Sequence, residues 1–146
     1  MPVTNVVGRS RTRRQRGQAL VESALVMLIF LSFLIGTLDF GQFLFFHQSL
    51  VERARAAARY AAVNPTDATG TKNIAVYNTA VPALDATPMV GGLTTSMVGV
   101  VSSDIGLPEA RITVTITGYP FSFLSPYIAG SYTAKPIRAV MASEAP

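Results

Sequence analysis

The apolar and polar positions divide the chain into a polar start, one long apolar block and a mixed C-terminal half. Residues 19–46 read ALVESALVMLIFLSFLIGTLDFGQFLFF, and only Glu22 and Asp39 are charged. The block is apolar all round rather than striped, which points to burial in lipid instead of on a protein surface. Ser23 to Leu38 is a charge-free run of 16 residues, about 24 Å as a helix at about 1.5 Å per residue. A bilayer core is about 30 Å thick and takes about 20 apolar residues. A crossing therefore brings one of the two carboxylates to the hydrocarbon edge. Residues 47–63, HQSLVERARAAARYAAV, contain no Gly or Pro and extend the helix. Leu50, Val51, Ala54, Ala57, Ala58, Ala61 and Ala62 recur there at helical spacing. Asn64-Pro65 stops it, because a residue before proline disfavours the α region. The pattern predicts one helix over 18–63, with about 19–46 in the membrane and an alanine face above it.

Residues 64–146 predict a small head. NPTDATGTK (64–72) reads as a polar turn or loop, 73–81 as a short helix stopped by Pro82, and 82–95 as loop. Residues 96–102 form a candidate strand weakened by Gly99. Arg111 to Thr117 is the clearest strand, with Ile112, Val114 and Ile116 on one face and Arg111, Thr113, Thr115 and Thr117 on the other. It continues towards Phe121 and Phe123 after a break at Gly118 and Pro120. Residues 125–131 read as a turn. Residues 132–143 read as a last strand with Ile137, Ala139 and Met141 on one face, placed at an edge by Pro136. The expected class is α+β: a long N-terminal helix whose alanine face is covered by a small three-stranded antiparallel sheet.

Charge sharpens the division. The 146 residues carry 12 Lys+Arg and 8 Asp+Glu, a formal +4. Residues 1–17 hold five arginines (Arg9, Arg11, Arg13, Arg14, Arg16) and no acid, so the other 129 residues carry a net −1. A nucleic-acid-binding face needs its basic groups clustered on a folded surface, and the body has no surplus for one. Five arginines directly before an apolar helix hold the N-terminus on the cytoplasmic side and place the head outside. The absence of Cys removes thiol chemistry and thiolate metal sites, and a single histidine, His47, removes a multi-histidine centre. The head's acids, Asp67, Asp85, Asp104, Glu109 and Glu144, are scattered and form no matched pair. No cofactor, small-molecule substrate or enzymatic activity is expected.

The junction Arg16-Gly17-Gln18-Ala19-Leu20-Val21-Glu22 has a basic leader, a glycine, four residues, a glutamate and then the apolar helix. A carboxylate so near hydrocarbon costs about 2.5–3.5 kcal/mol on insertion scales. A cut before Gln18 would create an amine four residues from Glu22 on the same helix face. That amine would neutralise Glu22 within a subunit or pair with a neighbour's, and the cut would remove the arginines that pin the helix. The junction resembles a type IV prepilin processing site. Together with Gly36-Thr37-Leu38-Asp39-Phe40-Gly41-Gln42 and Ala56-Ala57-Ala58-Arg59-Tyr60-Ala61-Ala62-Val63, it looks like the TadE-like pseudopilins of the tight-adherence pilus system.

The resemblance implies a pilin-like fold and cleavage after Gly17 by a membrane-embedded prepilin peptidase. Residues 1–17 would be the leader and Gln18 the first mature residue, with Glu22 serving assembly. It also implies a bacterial inner-membrane subunit that joins other pilins, in a minor role, in a pilus or secretion apparatus. Gln18 departs from the Phe frequent at that position. The alternatives are an uncleaved single-pass anchor carrying a binding or adhesion module, or the major filament subunit. Asp39 lies about 32 Å along the helix from Gln18. It is expected at the outer interface, either solvated or in contact with Arg53, Arg55 or Arg59 of another subunit.

Overall fold

A computed structural model describes residues 9–104, 107, 109–125 and 131–143. Residues 1–8 of the leader, 126–130 of the expected turn, Glu144 and the side chains of the leader arginines lie outside the described residues. Helix α1 runs from Arg9 to Val63 without interruption, about 80 Å. It therefore begins within the basic leader and ends where Asn64-Pro65 predicts.

The second helix corrects the expected boundaries. Helix α2 spans Ala68–Tyr77, so its first half lies in the stretch that reads as a polar loop and its second half in the expected helix. Capping outweighs composition here. Asp67 is the N-cap, and its Oδ1 accepts from the Gly70 amide at 2.8 Å. Its backbone carbonyl receives the Thr71 hydroxyl at 2.8 Å. The Tyr60 hydroxyl of α1 donates to Asp67 Oδ2 at 2.8 Å, which ties the two helices together. At the other end Asn78 adopts the left-handed conformation (φ 61°) and its amide closes on Ile74, ending the helix before Pro82 is reached.

A short 3-10 turn, Thr95–Met97, leads into strand β1 (Val98–Ser103). Strands β2 (Arg111–Ile116) and β5 (Ile137–Ala142) complete a three-stranded antiparallel sheet of order β1-β2-β5. Val114 of the central strand lies opposite Val100 on one side and Ala139 on the other. Ile112, Val114 and Ile116 are buried as their alternation predicts. Ile137 is buried too, but Ala139 is half-buried and Met141 more exposed, so the inward face of β5 fades towards its end.

The expected single last strand over 132–143 is two strands. Strand β4 (Ser131–Thr133) pairs with β3 (Pro120–Ser122) in a separate two-stranded sheet, with Phe121 opposite Tyr132. Pro136, which has no amide to donate, falls in the gap before β5. Gly118, at φ +74°, turns the chain from β2 towards β3, a conformation costly for a side-chain-bearing residue.

The core lies where the sheet and α2 cover the upper part of α1. Leu50, Ala54, Ala57 and Ala58 pack with Ala75, Val76, Val98, Val114 and Ile116. The alanines let both layers approach the helix backbone closely. The hydroxyl of buried Tyr119 donates to the Gly91 carbonyl at 2.8 Å, fastening the 79–94 loop to the same core, and burial raises its pKa.

The Asp67 network has a defined pH signature. The Gly70 amide, then the Tyr60 hydroxyl, hold the Asp67 carboxyl below its ordinary range, while the Tyr60 phenol is held above its own, chiefly by that same bond. The unfolded chain thus takes up a proton on Asp67 at higher pH than the folded one. The stabilisation is complete above about pH 4 and is lost as the folded carboxylate protonates below it. In Asp67→Ala, thermal unfolding should occur at lower temperature and lose part of its acid dependence below that pH. Alanine normally favours a helix interior over glycine by about 1 kcal/mol. A Cβ at Gly70, however, would collide with the Asp67 carboxylate and lie 2.9 Å from the Tyr60 oxygen. Gly70→Ala should therefore lower the melting temperature, and a rise would show that the network yields without cost.

Candidate functional site

The features that bear on function lie on α1, below and at the head. Gly17, Gln18 and Glu22 occupy consecutive turns of exposed helix. A Cβ at Gly17 would meet nothing within 4 Å, so the fold itself makes no demand for glycine there. Among the described side chains none pairs with the Glu22 carboxylate.

From Leu20 to Leu38 the large apolar side chains point away from any cover the chain itself provides. The Ser32 hydroxyl bonds back to the Leu28 carbonyl at 2.8 Å and the Thr37 hydroxyl to the Phe33 carbonyl at 2.9 Å. These two hydroxyls are thereby satisfied without water, as an apolar solvent requires. A Cβ at Gly36 would meet nothing within 4 Å, so the Ser32–Gly36 small-residue step is open to another helix.

Asp39 ends this exposed run and differs from the expected solvated interfacial acid. It is 3% exposed. Its Oδ1 accepts the Leu124 amide at 2.7 Å and its Oδ2 accepts the Ser125 amide at 2.9 Å. The segment just after β3 is therefore clasped to the helix by one carboxylate. Two ordinary backbone amides do what a cation would have done, because charge-assisted bonds to a carboxylate are short and strong.

Above the clasp, aromatic rings fill the junction. Phe121 sits edge-on to Phe43 (5.6 Å), Phe46 (5.9 Å) and Phe123 (4.8 Å), and Phe123 meets Tyr132 at 5.3 Å. Edge-to-face contacts of this kind are worth about 0.5–1.5 kcal/mol each beyond area burial. His47 stacks on Phe43 at 6.2 Å and is exposed, the polar interfacial place its sequence position suggests.

The three arginines are not brought to Asp39 within the chain. Arg53 donates to Asn78 Oδ1 at 2.9 Å, across to the end of α2. Arg55 pairs with Glu52 at 3.3 Å, the expected i,i+3 pair. Arg59 is exposed and lines a groove between α1 and β5 with Arg55 and Arg138.

Asp85, Asp104 and Glu109 are all exposed. Among the described residues no three His, Cys, Asp or Glu side chains gather where they could hold a metal. The partners that sequence reading missed are the Leu124 and Ser125 amides. Backbone donors leave no residue signature. The available hint was an acid at the end of an apolar run with no cation within one helical turn.

Removing the carboxylate should free these two amides. Asp39→Ala should abolish hydrogen-exchange protection at Leu124 and Ser125 while leaving Val114, in the central strand, protected. The cost is about 1–3 kcal/mol for each amide left without a partner. Asp39→Asn, which retains one acceptor, should fall between. Unchanged protection would show that the clasp does not hold this segment.

No curated protein and no solved structure matches the chain. A family model does match, over the long helix and none of the head. Residues 17–59, from the junction glycine to Arg59, match the family described as TadE-like protein.

Proposed function

We propose that the chain is a minor pilin or pseudopilin of a Tad-type pilus or secretion apparatus, a structural subunit cleaved after Gly17 and assembled through its apolar helix. The TadE-like family is a pilus-associated membrane family, and the exposed helix Leu20–Leu38 is long and apolar enough to anchor the chain in a membrane. The observation that carries the reading is the junction Gly17 to Glu22, set at the foot of a helix whose lower part the head leaves uncovered.

Cleavage there exchanges five arginines for one new amine at Gln18. The mature chain then has side chains summing to −1 and an N-terminus one helical turn from Glu22. Glu22 lies near hydrocarbon and gains most from a cation beside it. Its own amine, or that of a neighbouring subunit, supplies one during assembly. The partners on this reading are the inner membrane, the prepilin peptidase and other pilin subunits. The N-terminus is cytoplasmic and the head external.

Open space around Gly17 makes the test clean. Gly17→Leu should leave the melting temperature of the head unchanged yet block processing, read by mass spectrometry of the chain from cells with an active prepilin peptidase. Glu22→Ala should be cleaved but enter filaments or apparatus several-fold less. A wild-type chain that still begins at Met1 in such cells would sink the proposal and favour the uncleaved anchor. A filament preparation dominated by this chain would make it the major subunit instead.

A further inference from the structure

The Asp39 clasp fixes how far down α1 the described part of the head reaches. Ala19 to Leu38 is 20 residues, about 30 Å of helix, which equals the thickness of a bilayer core. The expected span of 19–46 is longer than this, and from Phe43 upward the helix already touches Phe121 of the head. Strand β3 and the residues after it descend along α1, from Phe121 at the level of Phe43 and Phe46 to Leu124 at the level of Asp39.

Large side chains at this lower rim and just above it are uncovered: Leu124 is 64% exposed and Phe40 62%, and Tyr132, beside Phe121 and Phe123, is 46% exposed. On a head held clear of the membrane they would face water. At the end of a 20-residue span they lie at the headgroup level, where aromatic rings are favoured. The desolvation that such a place imposes on Asp39 is offset by its two amide bonds.

We propose that Leu124, Phe40 and Tyr132 form a collar immersed in the head-side lipid interface, so that the head rests directly on the phospholipid surface. The clasp makes this collar part of the anchor and limits the crossing to Ala19–Leu38. The inference rests on the membrane-spanning reading of the same helix.

The chain has no tryptophan, so a single one reports its own depth. The full chain would be reconstituted in phosphatidylcholine–phosphatidylglycerol vesicles at low protein-to-lipid ratio, with phospholipids brominated at shallow or deep acyl positions. Leu28→Trp, in mid-span, reports insertion. Val63→Trp, at the top of the helix about 36 Å beyond Asp39, reports water. All three substituted positions are exposed in the chain, so each variant should fold. Leu124→Trp should emit at shorter wavelength than Val63→Trp and be quenched several-fold more by shallow bromines, while resisting acrylamide.

Equal acrylamide quenching of Leu124→Trp and Val63→Trp, with no bromine effect, would overturn the collar while leaving the anchor intact. A blue shift at Leu124→Trp that grows with protein-to-lipid ratio and ignores bromines would assign the surface to a second copy and also overturn it. Failure of deep bromines to quench Leu28→Trp would overturn the spanning helix and the collar together.

Discussion

The Asp39 carboxylate divides one uninterrupted helix into a part that the described residues leave bare and a part that the head covers. Below it, α1 displays exposed Leu, Val, Ile and Phe; above it, the same helix is covered by the head on one face. A carboxylate at such a boundary is costly unless it is well bonded. Asp39 is bonded to two amides of a segment 85 and 86 residues away. That bond adds two directional contacts to the ring packing of Phe121 on Phe43 and Phe46, and it fixes the described residues after β3 to one turn of α1.

The upper contact rests on the opposite property, an absence of side-chain bulk. Ala54, Ala57 and Ala58 are wholly buried, and each contributes little apolar area. Their value is proximity, since they bring β2, β5 and α2 against the helix so that Leu50, Ile116 and Val114 can fill the remaining space. The Tyr60–Asp67 bond and the Arg53–Asn78 bond then hold both ends of α2 to α1. A short helix of ten residues, marginal in isolation, is in this way capped and pinned by the long one.

What was legible in the sequence follows from which interactions carry a residue pattern. The extent of α1 beyond the membrane, its alanine face and the alternation of β2 were readable because periodicity records which face is buried. A short helix at 73–81 was expected, but the start of α2 at Ala68 was not readable, although Asp67 was in view. N-capping by a single Asp in a polar stretch looks like a loop until the Tyr60 and Gly70 partners are known. The split of the last strand was half-legible. Pro136 was visible as a disturbance, but pairing of Ser131–Thr133 with β3 instead of β2 is a choice of partner, which composition does not encode. Of the site, Gly17, Gln18 and Glu22 were named because the junction, by its residues and spacing, resembles a prepilin processing site. Asp39 was named but assigned solvent or another subunit, because its true partners are main-chain groups.

Two acids bracket the apolar run, and the structure gives them different circumstances. Asp39 is bonded through both oxygens to its own head and is 3% exposed, so it has little surface left to offer a neighbouring subunit. The Glu22 carboxylate is exposed and has no partner among the described side chains, and the described part of the head begins about 26 Å farther along the helix. Whatever compensates Glu22 must therefore come from its own end of the helix: the headgroup region, the terminus that cleavage would create, or another chain. The two ends of the span are physically independent for the same reason. A change of charge at Gln18 can alter how the foot of the helix associates without disturbing the clasp that holds the head at its top.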